Sequence, residues 1–454
     1  MPTKRKKRLA AGAVVRAGSG TSGSNAAKST PNPISNRNMP TSGSISGANS
    51  RIPAGNLGKL KRELGLYDAA AIDIGAIIGA GIFVVIGVAA SVAGAGLIFS
   101  LILAGAVSYI TALSYAELSH RIPIEGGEYN FAYRLISHDA GFLDGVLWCL
   151  STAVSGAVVS IGLSNYFVVL FPGLDQKLIA IAAIFLMALL NIVGIKRSSI
   201  VNEALVVMKI GILLFFILFG INQIRYENFD YAFSAGWEGI VQGAGIIFFA
   251  FAGFGRTATI AEEVKDPKNT LPKAILLALT VCTVIYILTG FVAMGLLGAD
   301  RIALSPAPIA EAISVAGSRY AVILVAIGAL AATASVLLTE ILGISRISFS
   351  MARNKQLPAF LSRVHSKFGT PYVAIILSGI LMAILAYTVN FRQIIELSSF
   401  GLLGYYAVTN FSALLMKREG AGIWKYLNKG RALLGVVSCI ALMALLAQSL
   451  LAGV

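Results

Sequence analysis

From Ala69 onward the chain alternates long apolar stretches with short polar ones. About eleven of the apolar stretches approach the ~20 residues that a helix needs to cross a bilayer. They run Ala69–Val92, Ala95–Leu118, Gly141–Phe171, Leu178–Gly194, Val201–Gly220, Ile240–Ile260, Ala274–Leu297, Tyr320–Ile344, Pro371–Val389, Ile394–Met416 and Ala432–Leu451. Two of them carry a glycine interruption: Ile78-Gly79-Ala80-Gly81 in the first, and Phe251-Ala252-Gly253-Phe254-Gly255 in the sixth. A backbone group freed inside lipid is costly, so such a weak point is tolerated only where it lines a cavity. A pair of breaks at corresponding places in two halves is the usual pointer to a transporter's binding site.

The halves correspond. Five spans precede the polar loop Tyr226–Trp237 and five follow it before the eleventh. An odd number per half inverts the second against the first, predicting an all-α polytopic membrane protein with a five-plus-five inverted repeat, residues 64–222 and 239–416, and an extra helix at 432–451. Composition agrees: 57% of residues are hydrophobic and 13% charged, against about 25% charged in a soluble domain, and mean hydropathy is +0.80.

The formal net charge of +15 is distributed as a topology signal rather than as a nucleic-acid face. Loops on one side hold Arg121, Arg134, Lys196, Arg197, Lys265, Lys268, Lys273, Arg346, Arg353, Lys355, Arg363, Lys367, Lys417, Arg418, Lys425, Lys429 and Arg431. The other side holds Lys177, Arg225, Arg301, Arg319 and Arg392, so seventeen basic residues face five. The richer side is expected in the cytoplasm, together with the N-terminus, and Val454 outside. Residues 1–63 form a basic Ser/Gly/Asn-rich tail, opened by Lys4-Arg5-Lys6-Lys7-Arg8, with too little apolar content to fold; it is expected to be a disordered cytoplasmic tail. No apolar core of a secretory signal follows the basic run. Cys149, Cys282 and Cys439 each lie within an apolar span without metal-ligand spacing and read as packed thiols; neither a metal nor a cofactor is expected.

Several local sequences resemble the amino acid–polyamine–organocation superfamily. Leu60-Lys61-Arg62-Glu63-Leu64-Gly65-Leu66 leading into Gly75–Phe83 resembles its entry and first helix. Tyr115-Ala116-Glu117-Leu118 with Pro123 and Gly126-Gly127-Glu128-Tyr129 resembles its first cytoplasmic loop. Glu262–Pro267 with Leu271–Ile275 is similar to the sequence after its sixth helix, and Met351-Ala352-Arg353-Asn354 with Leu357-Pro358 to the one after its eighth. The resemblance covers about Leu57 to Met416 and implies the LeuT-type fold, with helices 1 and 6 broken, in a multi-pass transporter of the cell membrane. Three features depart from it. Members commonly have twelve or more spans, so a last helix is expected to be lost or cut off here. Arg256 follows Gly255 where many relatives have an acid, which weighs against cationic substrates. The long N-terminal tail has no counterpart.

Around the breaks, free N–H groups of Gly79-Ala80-Gly81 at the start of a half-helix suit a carboxylate, and carbonyls of Phe251, Ala252 and Gly253 at the end of the other suit an ammonium group. Small residues also permit close helix packing, and Gly75 and Gly79 have the spacing for it. With Ile78, these residues are the expected substrate site, and a leucine at Gly81 or Gly253 is expected to block it in a protein that still folds. The resemblance makes Phe251 a gate over the bound amino acid. Lys209 lies eight residues beyond Val201, about 12 Å into the fifth span, where an ammonium group either snorkels or faces the bundle interior. In some relatives a lysine at a matching place takes the position of a sodium ion and couples transport to protons. Its expected partners are carbonyls near Ile74 and Gly75 and hydroxyls such as Ser335 or Thr333. Arg256 is expected to pair with Glu262 or Glu263, and Glu117, Asp144 and Glu340 to anchor helices or loops.

The expected function is secondary active amino acid transport by proton-coupled symport, with amino acid and proton as the partners, and with no nucleic acid. Exchange of amino acids or polyamines, and a transporter-like nutrient sensor, are the alternatives. The sequence offers no HExxH or GxSxG, and His120, His138 and His365 lie in or beside loops, so an intramembrane enzyme is set aside.

Overall fold

The computed structural model describes residues 64–452 except 124–126, 194–198, 231–232, 318 and 417–428. The expected tail at 1–63 therefore lies outside the described residues. The rest is helical, with one isolated bridge between Leu64 and Val264.

The first span divides into α1 (Leu66–Ile77) and α2 (Ile86–Ala93), joined by a π-helical stretch, Gly81–Val85. A tight turn at Gly94–Gly96 leads into α3 (Leu97–Arg121). Then follow α4 (Gly127–Leu135), α5 (His138–Leu170), α6 (Gln176–Val193) and α7 (Ser199–Gly220). The second repeat opens with α8 (Gly236–Ile247), the first part of the broken sixth span. It continues through α9 (Pro267–Leu297), the short α10 (Ala299–Leu304) and α11 (Pro308–Val315), α12 (Arg319–Arg353), α13 (Tyr372–Thr388) and α14 (Phe391–Leu415). The extra helix is α15 (Lys429–Ala452).

The apolar pattern locates these helices to within a few residues, except where a helix runs on into polar sequence. Thus α9 starts at Pro267 rather than Ala274, with proline at its first position, and α12 continues to Arg353 rather than Ile344. Hydropathy cannot register a helix end that stands in the headgroups or in water. Side-chain caps can: Ser137 Oγ accepts from Ala140 N at 3.0 Å to start α5, and Asn390 Oδ1 accepts from Arg392 N at 3.1 Å to start α14. Leu66–Arg121 is a continuous apolar stretch of 56 residues, about 84 Å of helix, and so holds two crossings.

Burial separates an inner from an outer set of helices. Every residue from Ile77 to Gly87 is buried. On α6 and α15, by contrast, Leu178, Phe185, Leu186, Leu189, Leu433, Leu434, Val437 and Ile440 are exposed. Such faces belong in lipid, which wraps an inner bundle built around the first span.

Candidate functional site

Ile78 leaves the helix with φ −73° and ψ 101°, and Gly79 is non-helical before the chain turns again from Ala80. Carbonyls at the end of a helix lack intrahelical donors. Here side chains from two other helices supply them. Lys209 Nζ, on α7, donates to Gly75 O at 2.9 Å and Ile78 O at 3.1 Å. Tyr286 of α9 donates its hydroxyl to Ile77 O at 2.9 Å, and Tyr166 of α5 donates to Phe83 O at 2.6 Å beyond the break. Lys209 is 1% exposed, so its ammonium group faces the bundle interior and does not snorkel. The hydroxyls of Ser335 and Thr333 donate within α12, to Ala332 O at 2.9 Å and Ala329 O at 2.7 Å.

The sixth span breaks differently. After α8 the chain tightens into a 3-10 turn, Phe248–Phe251, extends at Ala252 (ψ 148°) and turns at Gly253, whose φ of +106° suits glycine. It resumes as a 3-10 segment, Arg256–Glu263, where the apolar pattern had implied a helix continuing to Ile260.

The two breaks touch. A Cβ on Gly81 would collide with the Ala250 backbone, and one on Gly253 would stand 2.9 Å from the Ala76 carbonyl carbon and oxygen. The close-packing role of these glycines is thus part of the site itself. Leucine at either position meets backbone rather than an empty pocket, which corrects the expectation that such variants fold. Phe251 is fully buried, with its ring 5.4 Å from that of Tyr286 and beside Gly105 of α3. Phe254 stacks on Tyr406 of α14 at 4.9 Å.

One connection had no counterpart among the expectations. Asp73, fully buried on α1, accepts from Thr257 N at 2.9 Å and from its hydroxyl at 2.8 Å. It caps the start of the second half of the sixth span and ties the two broken helices together. An aspartate inside the first span was a signal in the sequence, since intramembrane acids are functional candidates by default.

Below the breaks lies a polar cluster. The guanidinium of Arg256 is 5.7 Å from the centre of the Trp148 ring on α5, and among the described residues its Nε has no hydrogen-bond partner. Its expected partners, the side chains of Glu262 and Glu263, lie outside the described residues. Ser155 donates to Glu340, whose second oxygen is unpartnered. Glu117 pairs with Arg121 at 3.9 Å, one turn along the same helix, α3. Glu128 is buried in α4, beside Tyr115 and Arg256, and burial pushes its carboxyl above the ordinary range. Cys282 and Cys439 are buried and Cys149 half-buried, all as free thiols. Among the described residues no group of acidic, histidine or cysteine side chains could hold a metal ion.

With two touching breaks inside an inverted repeat, the comparison with known sequences is decisive: the amino acid permease family model matches residues 64–453. The chain belongs to that family. An uncharacterized transporter of Mycobacterium tuberculosis is 36% identical over 403 residues, 87% of this chain and 89% of that protein. The branched-chain amino acid permease BcaP of Bacillus subtilis is 32% identical over 380 residues, covering 79% and 82%. Cationic amino acid transporter 9, chloroplastic, of Arabidopsis thaliana is 36% identical over 334 residues, covering 67% and 58%. This family member is therefore a multi-pass membrane transporter with the five-plus-five fold.

Proposed function

We propose that this permease carries an amino acid across the cell membrane by alternating access, and that a proton on Lys209 is transported with it. The observation that carries the reading is the Lys209 ammonium group bonded to Gly75 O and Ile78 O at the first break. A group there that gains and loses a proton changes the hydrogen bonding of the same backbone that meets substrate. The substrate carboxylate would lie at the N–H groups of Gly79, Ala80 and Gly81, and its ammonium at the carbonyls of Phe251, Ala252 and Gly253. Phe251 closes over it. Ser335 belongs to the proton site through its position on the neighbouring helix. The basic loops and the N-terminus lie in the cytoplasm. Arg256 beneath the break favours an amino acid with an uncharged side chain, such as the branched-chain class in the name of BcaP, over a cationic one.

Uptake of each of the twenty amino acids into proteoliposomes, with and without an imposed pH gradient, tests this. Wild type should concentrate at least one on an inward proton gradient without sodium. Lys209→Ala leaves Gly75 O and Ile78 O short of a donor, at about 1–3 kcal/mol, which weakens binding up to about a hundredfold. It should abolish accumulation even at saturating substrate. Accumulation that survives in the alanine variant removes the proton from Lys209. Uptake that requires preloaded amino acid makes the protein an exchanger, and binding without uptake makes it a sensor.

A further inference from the structure

Nine buried side-chain polar atoms lack a hydrogen-bond partner among the described residues, and two of them are the oxygens of a single carboxyl, Asp144. Asp144 is on α5 near the basic-loop end of the bundle and is 2% exposed. An ionised carboxylate buried with neither oxygen bonded is strongly disfavoured, whereas the neutral acid is tolerated.

Among the described residues its surroundings offer no compensation. Glu128 from α4 faces it, a like charge when ionised. Helices α5 and α12 run antiparallel here, with Cys149 beside Ser348 at 3.8 Å and Gly145 against Met351 and Tyr129. The charged residues of α12 at this end, Arg346 and Arg353, are exposed, as are Arg134 of α4 and His138 and Asp139 of α5 itself. Packed on the same helix, α14 carries no charged residue between Leu397 and Leu415. Glu340 lies further along the α5–α12 seam, bonded to Ser155. Arg256, over the Trp148 ring one turn from Asp144, forms no ion pair with it in this conformation.

We propose that Asp144 is a proton-binding switch of the transport cycle, holding a proton while it is buried at the basic-loop end of the bundle, as here, and releasing it when that end opens to water. The carboxyl O–H bond breaks, the proton passes to cytoplasmic water, and the carboxylate left behind is hydrated. By linkage, the conformation that binds the proton more tightly is favoured at low pH, so cytoplasmic acid holds this end shut. The switch goes beyond substrate coupling and does not require Lys209.

Cys149, half-buried a little over one turn from Asp144, is the reporter, in a protein whose buried Cys282 and Cys439 are replaced by alanine. A membrane-impermeant maleimide is applied from the basic-loop side of reconstituted protein, without substrate, from about pH 5.5 to about pH 8. Rates are divided by those of Asp144→Asn at each pH, which cancels the ionisation of the thiol. The ratio should be near one at the acid end and rise at least tenfold by the alkaline end. Asp144→Glu should restore the rise, and Asp144→Ser replaces the asparagine variant if that one is not recovered folded. A ratio flat across pH, or Cys149 unreactive throughout in wild type, overturns the proposal. Lys209→Ala should keep the rise. A protein that shows it yet drives no uptake on a pH gradient keeps this switch and loses proton symport, so the two readings fail separately.

Discussion

Glycine 253 combines a positive φ with an approach to the Ala76 carbonyl group that leaves no space for a side chain. Gly253→Ala should therefore cost about 1–3 kcal/mol in strain, seen as a lower thermal-unfolding midpoint in detergent with substrate absent. Gly81→Leu should give no monodisperse protein at all, because its side chain meets the Ala250 backbone. An unchanged midpoint for the first, or a well-folded second, would mean that the two breaks do not pack as described. The interrupted apolar run made both glycines visible in the sequence as weak points in a span. Whether such a glycine faces a ligand or another backbone is not a property of its neighbours along the chain. Lys209 divides the same way: its depth in the span was countable, but its choice of interior over headgroups depended on where α7 packs.

The broken helices are held together as elements by a few polar contacts. Asp73 on α1 receives both the N–H and the hydroxyl of Thr257, so the second half of the sixth span is bonded to the first half of the first span. Thr257→Val should leave Asp73 with one bond of two and destabilise the protein by about 1–3 kcal/mol, while Thr257→Ser should restore most of it. Thermal shift and initial uptake rate check this together. Equal behaviour of the valine and serine variants would show that the hydroxyl does not matter. Helix extents were readable wherever both ends lie in the hydrocarbon layer, as for α13. They were misread where polar turns continue the helix, as at the start of α9 and the end of α12. The 3-10 form of Arg256–Glu263 was not readable either, because an α-helix and a 3-10 helix present nearly the same apolar pattern over two turns.

At the scale of the whole molecule, the basic loops imply one orientation. Exposed Ser366, between α12 and α13, and exposed Gln223, after α7, lie on opposite sides of the expected topology. Single cysteines at these positions, with the three native thiols replaced, should react with an impermeant maleimide from opposite sides of intact cells, Gln223→Cys from outside. Labelling of both from one side would break the alternation of spans. The sequence by itself determined that the chain lives in a membrane, how many apolar spans it has, their order and inversion, and where two of them break. Those properties follow from the free energy of moving each short segment from water into lipid, which is local and additive along the chain. The tertiary structure alone decided that the breaks touch, that Lys209 reaches the carbonyls of Gly75 and Ile78, that Asp73 meets Thr257, and that Asp144 has no hydrogen-bond partner among the described residues. Each of these depends on residues distant in sequence being brought within a few ångströms, and that distance is set by how the helices pack, not by what any one of them contains.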